Sequence, residues 1–235
     1  MSSFLLRAIA LISMFADHAG LALFTDIGAF RCAGRLSFPL YCFLLAQGYL
    51  NARSRSAYGR RLLILALVSE IPFDLLIFAR PVCAAEQNVL FSLMLGLLAI
   101  YSADTLRDRP LQAWLAAMAV CVCAMAANVS FGWLGPVLCL AAYFGRNNRL
   151  RMAMYTAGAL LLYTFSLALS GVAASWVLVS LCAPLALIPM LLYSKKPGPR
   201  SRVLSFLFYA AYPLHLAALL IIRAMRIIPP YFLSQ

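Results

Sequence analysis

Acidic side chains and histidines are scarce in this chain, which has 7 Asp and Glu and 2 His among 235 residues. Charged residues of both signs make up 11% of it, whereas a soluble domain carries roughly a quarter. This scarcity excludes a water-exposed surface over most of the chain. No segment is polar enough for a separate soluble domain and no internal repeat is visible, so we treat residues 1–235 as a single domain.

The sequence also lacks the ligand spacing of a metal site. Its seven cysteines mostly lie inside apolar runs, without the paired spacing that metal centres use. Cys121 and Cys123 are two residues apart and therefore point to different sides of a helix. We predict no metal site and interpret the cysteines as small apolar packing residues.

Long apolar runs dominate the chain instead. Hydrophobic residues make up 65% of it, and the mean hydropathy is +0.92. A membrane β-barrel would show alternating segments of about ten residues, whereas these runs are continuous. We predict an all-α polytopic membrane protein with about nine transmembrane helices, each near the ~20 residues that a span needs. The runs are 4–24, 34–50, 61–79, 88–103, 111–127, 131–145, 151–170, 172–193 and 203–223.

Basic side chains are distributed unevenly between the loops. The net charge is +12, but Lys and Arg flank the apolar runs, so we predict no binding to nucleic acid. The loops after the second, fourth, sixth and eighth runs hold most of them: Arg53, Arg55, Arg60, Arg61, Arg107, Arg109, Arg146, Arg149, Arg151, Lys195, Lys196, Arg200 and Arg202. The positive-inside rule predicts a cytoplasmic N-terminus in the bacterial cytoplasmic membrane. We expect the first run to be retained rather than cleaved.

Several apolar runs carry ionisable side chains, which are costly inside a bilayer and usually functional. Measured from the cytoplasmic end of each run, His18 lies about 21 Å deep, His215 about 18 Å, Asp74 about 20 Å and Glu70 about 14 Å. Two more polar residues lie at the outer ends of runs, Arg35 and Asn88. The first four runs and the ninth therefore supply a polar layer in the outer half of the membrane, and we interpret the fifth to eighth runs as scaffold.

Three prolines coincide with this polar layer: Pro39, Pro72 and Pro213. Each removes a helical hydrogen bond and frees a carbonyl group. Freed carbonyls at this depth need protein or water partners. Together with the charges, they predict a wet cavity.

Alternatives stay open for two groups in the layer. Glu70 and Asp74 share a helix face, and they either form a structural ion pair with Arg35 or shape a substrate cavity. His215 either donates a hydrogen bond to a freed carbonyl or takes part in the chemistry.

Arg7 and His18 lie on one face of the first helix, because eleven residues come to about 20° past three full turns. They are about 16 Å apart along the axis. Arginine suits phosphates, and histidine can move a proton near neutral pH. This geometry fits a long phosphate-bearing donor reaching inward, although Arg7 could also be a plain flanking residue. Asp17 could orient the imidazole or pair with another helix.

Five segments of the sequence resemble the TraX family of integral membrane proteins: RAIALISMFADHAG, AGRLSFPLYCFLLAQGY, SEIPFDLLIF, NVLFSLMLGLLAI and FYAAYPLHLAALLI. The family is named for a pilin N-acetylase of conjugation systems. It is similar to a broad group of membrane acyltransferases that use coenzyme A and carry an arginine or lysine, ten residues, then a histidine in their first helix. The resemblance implies that His18 is the catalytic histidine and Arg7 its cationic partner.

The leading hypothesis is an acetyltransferase that moves an acetyl group from cytosolic acetyl-CoA to an envelope or cell-surface acceptor. Acetyl-CoA is then a co-substrate, and we predict no tightly bound cofactor. The candidate catalytic residues are His18, Asp17 and Asp74; Arg7 would bind the donor; the candidate substrate-binding residues are Arg35, Glu70, Asn88 and His215. The alternatives are a small proton-coupled transporter and a non-enzymatic membrane scaffold of a secretion or conjugation system.

Overall fold

The structure is a computed structural model that describes residues 1–24, 28–196, 198–199 and 201–225, without the side chains of Arg202 and Ser205. The described residues form eleven α-helices, one 3₁₀-helix and no strand, which confirms the all-helical prediction. Arg200, which the sequence places in a cytoplasmic loop, lies outside them. The elements are α1 Ser3–Ala22, α2 Gly28–Gly34, α3 Ser37–Leu50, α4 Arg55–Phe78, α5 Val89–Thr105, α6 Pro110–Ala126, α7 Leu134–Phe144, α8 Arg149–Leu169, α9 Ala174–Ser180, η1 Ala183–Ala186, α10 Leu187–Leu191 and α11 Arg202–Ala224.

Every predicted apolar run coincides with helical structure. Among the described residues, four helical segments are long and apolar enough to cross a membrane: Ser3–Ala22, Arg149–Leu169, Ala174–Leu191 and Phe206–Ala224. Helices α5, α6 and α7 are shorter but also apolar. The chain is therefore built as a helical membrane protein, and the number of nine crossings stays a prediction.

The prolines interrupt the helices at positions that differ in part from those predicted from the sequence. Pro39 lies in the first turn of α3, where a proline disrupts no helical hydrogen bond, so the predicted break at this position is wrong. Pro72 and Pro213 do lie inside α4 and α11. The eighth apolar run contains Pro184 and Pro189 and is divided into α9, η1 and α10.

Small residues allow α5 and α7 to approach closely in the core. A Cβ on Gly96 would overlap the Cys139 side chain, and a Cβ on Gly135 would overlap Ser92. Such small-residue contacts are the usual device of membrane helix pairs. By contrast, α6 exposes a row of large apolar side chains, Leu111, Trp114, Leu115, Met118 and Val122. That row is suited to contact with lipid.

A disulfide joins Cys32 of α2 to Cys182, just before η1, across 150 residues of sequence. The interpretation of the cysteines as packing residues is therefore wrong for this pair. It holds for Cys42 and Cys139, which are buried thiols. Spacing could not reveal the bond, because it depends on α2 turning back over the segment that follows α9.

Asp104, at the end of α5, is the centre of a polar network that sequence reasoning missed. Its carboxylate accepts hydrogen bonds from the Tyr49 hydroxyl (2.9 Å) and the Tyr143 hydroxyl (2.6 Å) and pairs with Arg55 at 2.6 Å. These residues belong to α3, α7 and α4, so one carboxylate ties together the ends of four helices.

We expect Asp104→Asn to lower the free energy of unfolding by about 1–3 kcal/mol. The substitution removes the negative charge that accepts hydrogen bonds from two hydroxyls and pairs with a guanidinium. Asp108→Asn is the matched control, because its side chain is 90% exposed and approaches Arg107 only at 3.7 Å. The thermal midpoints of the two variants in detergent measure the effect. Equal midpoints would contradict a stabilising role for this network.

Candidate functional site

The two histidines of the chain meet where α1 packs against α11. His18 Nδ1 lies 2.6 Å from His215 Nε2, and the ring centroids are 4.8 Å apart in a stacked arrangement. The depths estimated from the sequence had placed both in the same layer. The structure brings them into direct contact, 197 residues apart in sequence.

The second nitrogen of His215 fixes the tautomers of the pair. His215 Nδ1 lies 2.9 Å from the Ala211 carbonyl oxygen, which can only accept, so Nδ1 carries the proton. In a neutral His215 ring, Nε2 is then an acceptor, and His18 Nδ1 must donate to it. We assign the protons in this way from the acceptors. Among the described residues the assignment leaves the lone pair of His18 Nε2 without a donor, as a general base requires.

The prediction that His215 donates to a carbonyl freed by proline is wrong, and its part in the chemistry stays a prediction. His215 does donate to a carbonyl of its own helix, but that carbonyl belongs to Ala211 and not to Tyr209, four residues before Pro213. Its other nitrogen holds His18. The imidazole of His18 is thus held by His215 and not by Asp17 or Asp74, which had been the candidates.

Aromatic rings enclose the histidine pair. Phe15 stacks on His215 at 4.8 Å between centroids, and Tyr212 meets His18 edge-on at 6.1 Å. The Tyr212 hydroxyl is buried and has no hydrogen-bond partner in the described part of the chain. These rings pack against the two imidazoles and limit their rotation.

Asp17 pairs with another segment, which was one of the two roles left open for it. Its carboxylate lies 2.9 Å from Arg31 Nη1, and the same nitrogen donates to the Asp17 carbonyl oxygen at 3.3 Å. Arg31 belongs to α2. The pair therefore fastens α2 to α1 beside the peptide that leads into His18.

Gly34 permits this contact, because a Cβ there would overlap the Asp17 side chain. We expect Gly34→Ala to cost about 1–3 kcal/mol of stability, as overpacking does, and to lower activity. Gly28→Ala in the same helix is the control, since nothing lies within 4 Å of its added Cβ. Thermal midpoints in detergent compare the two variants, and a Gly34→Ala midpoint equal to that of Gly28→Ala would show that the close contact is unimportant.

The carboxylates of α4 hold the loop that leads into α5. Asn88 donates to the Ala66 carbonyl oxygen through Nδ2 (2.9 Å) and to Glu70 through both Nδ2 and its backbone nitrogen. Asp74 accepts from the backbone nitrogen of Cys83 at 2.7 Å. One oxygen of each carboxylate, Glu70 Oε1 and Asp74 Oδ1, is buried and has no hydrogen bond within the described ranges.

Arg35 does not pair with Glu70 or Asp74, so that predicted ion pair is wrong. Instead its guanidinium carbon lies 5.3 Å from the centroid of the Trp176 ring and 5.8 Å from that of Phe131. Trp176 also covers Arg31, at 4.7 Å. These aromatic residues belong to the part of the chain interpreted as scaffold. Sequence reasoning missed them because it followed only ionisable groups.

Arg7 lines a cavity of about 160 Å³ at the other end of the α1–α11 contact. The cavity lies between α1, α3, α11 and the segment before α11. Its polar lining consists of Ser3, Arg7, Gln47, Asn51, Tyr193 and Lys195. Arg7 and His18 thus mark the two ends of one helix face, about 16 Å apart.

The apolar helices, with a histidine pair and a cavity lined by Arg7 along the contact of α1 with α11, are those of a helical membrane protein. The chain belongs to the TraX family, whose model, described as TraX protein, matches residues 2–223.

Two relatives are similar to the chain. The probable fimbrial assembly protein FimC, serogroup H1, of Dichelobacter nodosus is 30% identical over 234 residues, covering 93% of this chain and 94% of its own length. The uncharacterized protein RP591 of Rickettsia prowazekii (strain Madrid E) is 28% identical over 97 residues, 41% of this chain and 36% of its own. No solved structure matches the chain.

Proposed function

We propose that this protein is a membrane acetyltransferase in which His18 is the general base and acetyl-CoA is the co-substrate. The observation that carries the proposal is the histidine pair, because its hydrogen bonds leave His18 Nε2 free to accept a proton.

The cavity at Arg7 is suited to the donor. Arg7 and Lys195 offer positive charge to phosphates, and Ser3, Gln47 and Asn51 offer neutral hydrogen bonds. From this cavity the thioester arm would extend along the α1 face that leads to His18. The distance of about 16 Å from Arg7 to His18 is suited to a long, thin arm and not to a compact metabolite.

The proposed reaction is direct acyl transfer. As the hydroxyl or amine of the acceptor attacks the thioester carbonyl carbon, His18 Nε2 takes its proton, and a carbon–oxygen or carbon–nitrogen bond forms. The carbon–sulfur bond breaks, and the coenzyme A thiolate takes the proton from His18. His215 holds the imidazole throughout. Two groups of residues would shape the acceptor side of the site. Asp17 would do so through Arg31, and the loop before α5 would do so through Asp74, Glu70 and Asn88.

The disulfide supports the proposed sidedness. Structural disulfides persist in oxidising compartments, so Cys32 and Cys182 fit the external side. The basic loops fit the cytoplasmic side by the positive-inside rule. Arg7 would then face the cytosol, where acetyl-CoA is made.

Cysteine labelling tests this sidedness. In a variant whose free Cys83 is replaced by serine, a cysteine placed at Arg53 or Asp108, both exposed, should not react with a membrane-impermeant maleimide in intact cells. One at Val82, which is 80% exposed in the loop after α4, should react. Each variant is labelled again after the membrane is permeabilised. Rapid labelling at positions 53 and 108 in intact cells would contradict the orientation and the donor route.

The proposal itself is tested with purified protein in detergent and acetyl-CoA labelled in the acetyl group. We expect label to enter an envelope fraction from cells that lack the protein, with release of one free thiol for each acetyl group transferred. Mass spectrometry of the labelled fraction then identifies the acceptor. Absence of both transfer and thiol release over all envelope fractions would overturn the enzymatic proposal.

The D. nodosus relative favours a second candidate, a membrane component of fimbrial assembly that does no chemistry. That candidate predicts loss of surface fimbriae without loss of an acetyl group. The two combine if a fimbrial subunit is the acceptor, in which case its mass would fall by one acetyl group in cells lacking this protein. A subunit of unchanged mass would leave envelope glycans and lipids as the acceptors to examine.

A further inference from the structure

We infer that Arg35 is the anchor of a binding site for an oxyanion, a carboxylate or a phosphate, carried by the acceptor. The site lies where the start of α3 meets Phe131, α8 and α9. Its assignment to the acceptor rests on the acetyltransferase proposal, whereas the binding of an oxyanion does not.

The charges at this corner leave Arg35 with capacity to bind an anion. Arg31 is occupied by Asp17 at 2.9 Å. The same carboxylate also interacts electrostatically with Arg35, but Arg35 forms no direct ion pair among the described residues, and its buried Nε has no hydrogen bond there. Arg35 is half-buried, and a partly desolvated cation gains from a close partner. Glu86 forms no ion pair with it: Glu86 is exposed, and its carboxylate accepts from the Ser130 hydroxyl at 2.6 Å. An incoming oxyanion would therefore gain a charge-assisted hydrogen bond.

The walls of the site hold the guanidinium in place and limit what can enter. Trp176 and Phe131 lie within 6 Å of the Arg35 guanidinium carbon, the range of cation–π contacts. The adjoining cavity has a volume of about 20 Å³, enough for one or two water molecules. It can admit the end of a charged group but not a whole sugar or peptide.

Three residues with hydroxyls line the cavity, Tyr163, Thr164 and Ser180, and two of these hydroxyls have already donated their protons. Thr164 donates to the Leu160 carbonyl oxygen at 3.0 Å, and Ser180 donates to that of Trp176 at 2.8 Å. The Arg35 guanidinium and the Tyr163 hydroxyl are therefore the donors that remain for a ligand, and only the guanidinium is charged. Such a site favours an anion over a neutral polar group.

Two contacts connect this corner to His18. Arg31 donates to the carbonyl oxygen of Asp17, which is the peptide oxygen immediately before His18. Cys32, between Arg31 and Arg35, is bonded to Cys182, six residues after Trp176. The disulfide therefore fastens the Trp176 segment over both arginines, beside the helix turn that carries the proposed base.

Ligand binding without acetyl-CoA tests the site directly. The probes are glucuronate and glycerol 3-phosphate, with glucose as the uncharged control, at constant ionic strength in detergent. We expect one or both anions to raise the thermal midpoint of the parent protein in a saturable manner, and glucose to have no effect. If neither anion raises it, the inference is wrong. The two probes distinguish a carboxylate from a phosphate.

Variants locate the binding. Arg35→Gln should weaken anion binding by about tenfold or more, the effect of one charge-assisted hydrogen bond, and Arg35→Lys should retain part of it. Arg80→Gln, an exposed arginine in the loop after α4, is the control and should bind like the parent. Equal affinity in the parent, Arg35→Gln and Arg35→Lys would overturn the inference. If Arg35→Gln does not fold, Arg35→Lys against Arg80→Gln decides.

The outcome is separable from that of the acetyltransferase proposal. Anion binding that depends on Arg35, with no acetyl transfer to any envelope fraction, would support the oxyanion site and contradict the enzymatic function. Acetyl transfer without such binding would leave the enzyme and overturn this site.

Discussion

Replacement of His18 by alanine should lower the rate of acetyl transfer by about 10²- to 10⁴-fold, the range that acid–base groups contribute. The expected loss follows from the free lone pair on His18 Nε2, the atom that the hydrogen bonds of the pair leave available. Folding should survive, because the imidazole occupies a polar contact and its removal opens no large apolar cavity. The effect should therefore fall on turnover and leave donor binding nearly unchanged.

Transfer from labelled acetyl-CoA by His18→Ala is compared with that by the parent protein at temperatures equally far below each thermal midpoint. Ile12→Ala is the matched control on the same helix, since its side chain is 68% exposed on the outer surface of α1. A His18→Ala protein that turns over like Ile12→Ala would show that this histidine is structural. The acyltransferase mechanism would then be abandoned.

The helices could be predicted from the sequence because each apolar run is long enough to be recognised as a helix. Depth could also be predicted, since rise per residue is fixed, and His18 and His215 were placed within about 3 Å of one another along the membrane normal. Rotation could not. Whether His215 faces His18 depends on how α11 packs against α1, and no local pattern in either helix determines that.

The arginines show the same limit. From the sequence, Arg35 was the natural partner of Glu70 and Asp74, because all three are charged and lie in the outer half. In the structure α2 intervenes as a separate short helix, so Arg31 takes the carboxylate of Asp17 and Arg35 packs against Trp176 instead. A seven-residue helix outside the apolar runs leaves no strong periodic signal, and the disulfide that holds it is formed with a distant segment.

The tautomer assignment predicts that His215 is a positioning residue whose acceptor atom matters more than its ring. His215→Phe keeps the stacking with Phe15 and His18 but removes the acceptor, and it should lower turnover by about 10-fold or more, the worth of one oriented hydrogen bond. His215→Gln keeps a side-chain oxygen that can accept from His18 Nδ1 and should retain more activity, although it packs less well.

The decisive observation is therefore the order of the two variants in two measurements, turnover with labelled acetyl-CoA and thermal midpoint in detergent. We expect His215→Gln to be faster and His215→Phe to be at least as stable, because phenylalanine preserves the apolar contacts that glutamine loses. A structural role alone would make turnover follow stability. If His215→Phe is both the more stable and the faster variant, His18 does not depend on the hydrogen bond that it donates to His215, and the proposed route to its free Nε2 is wrong.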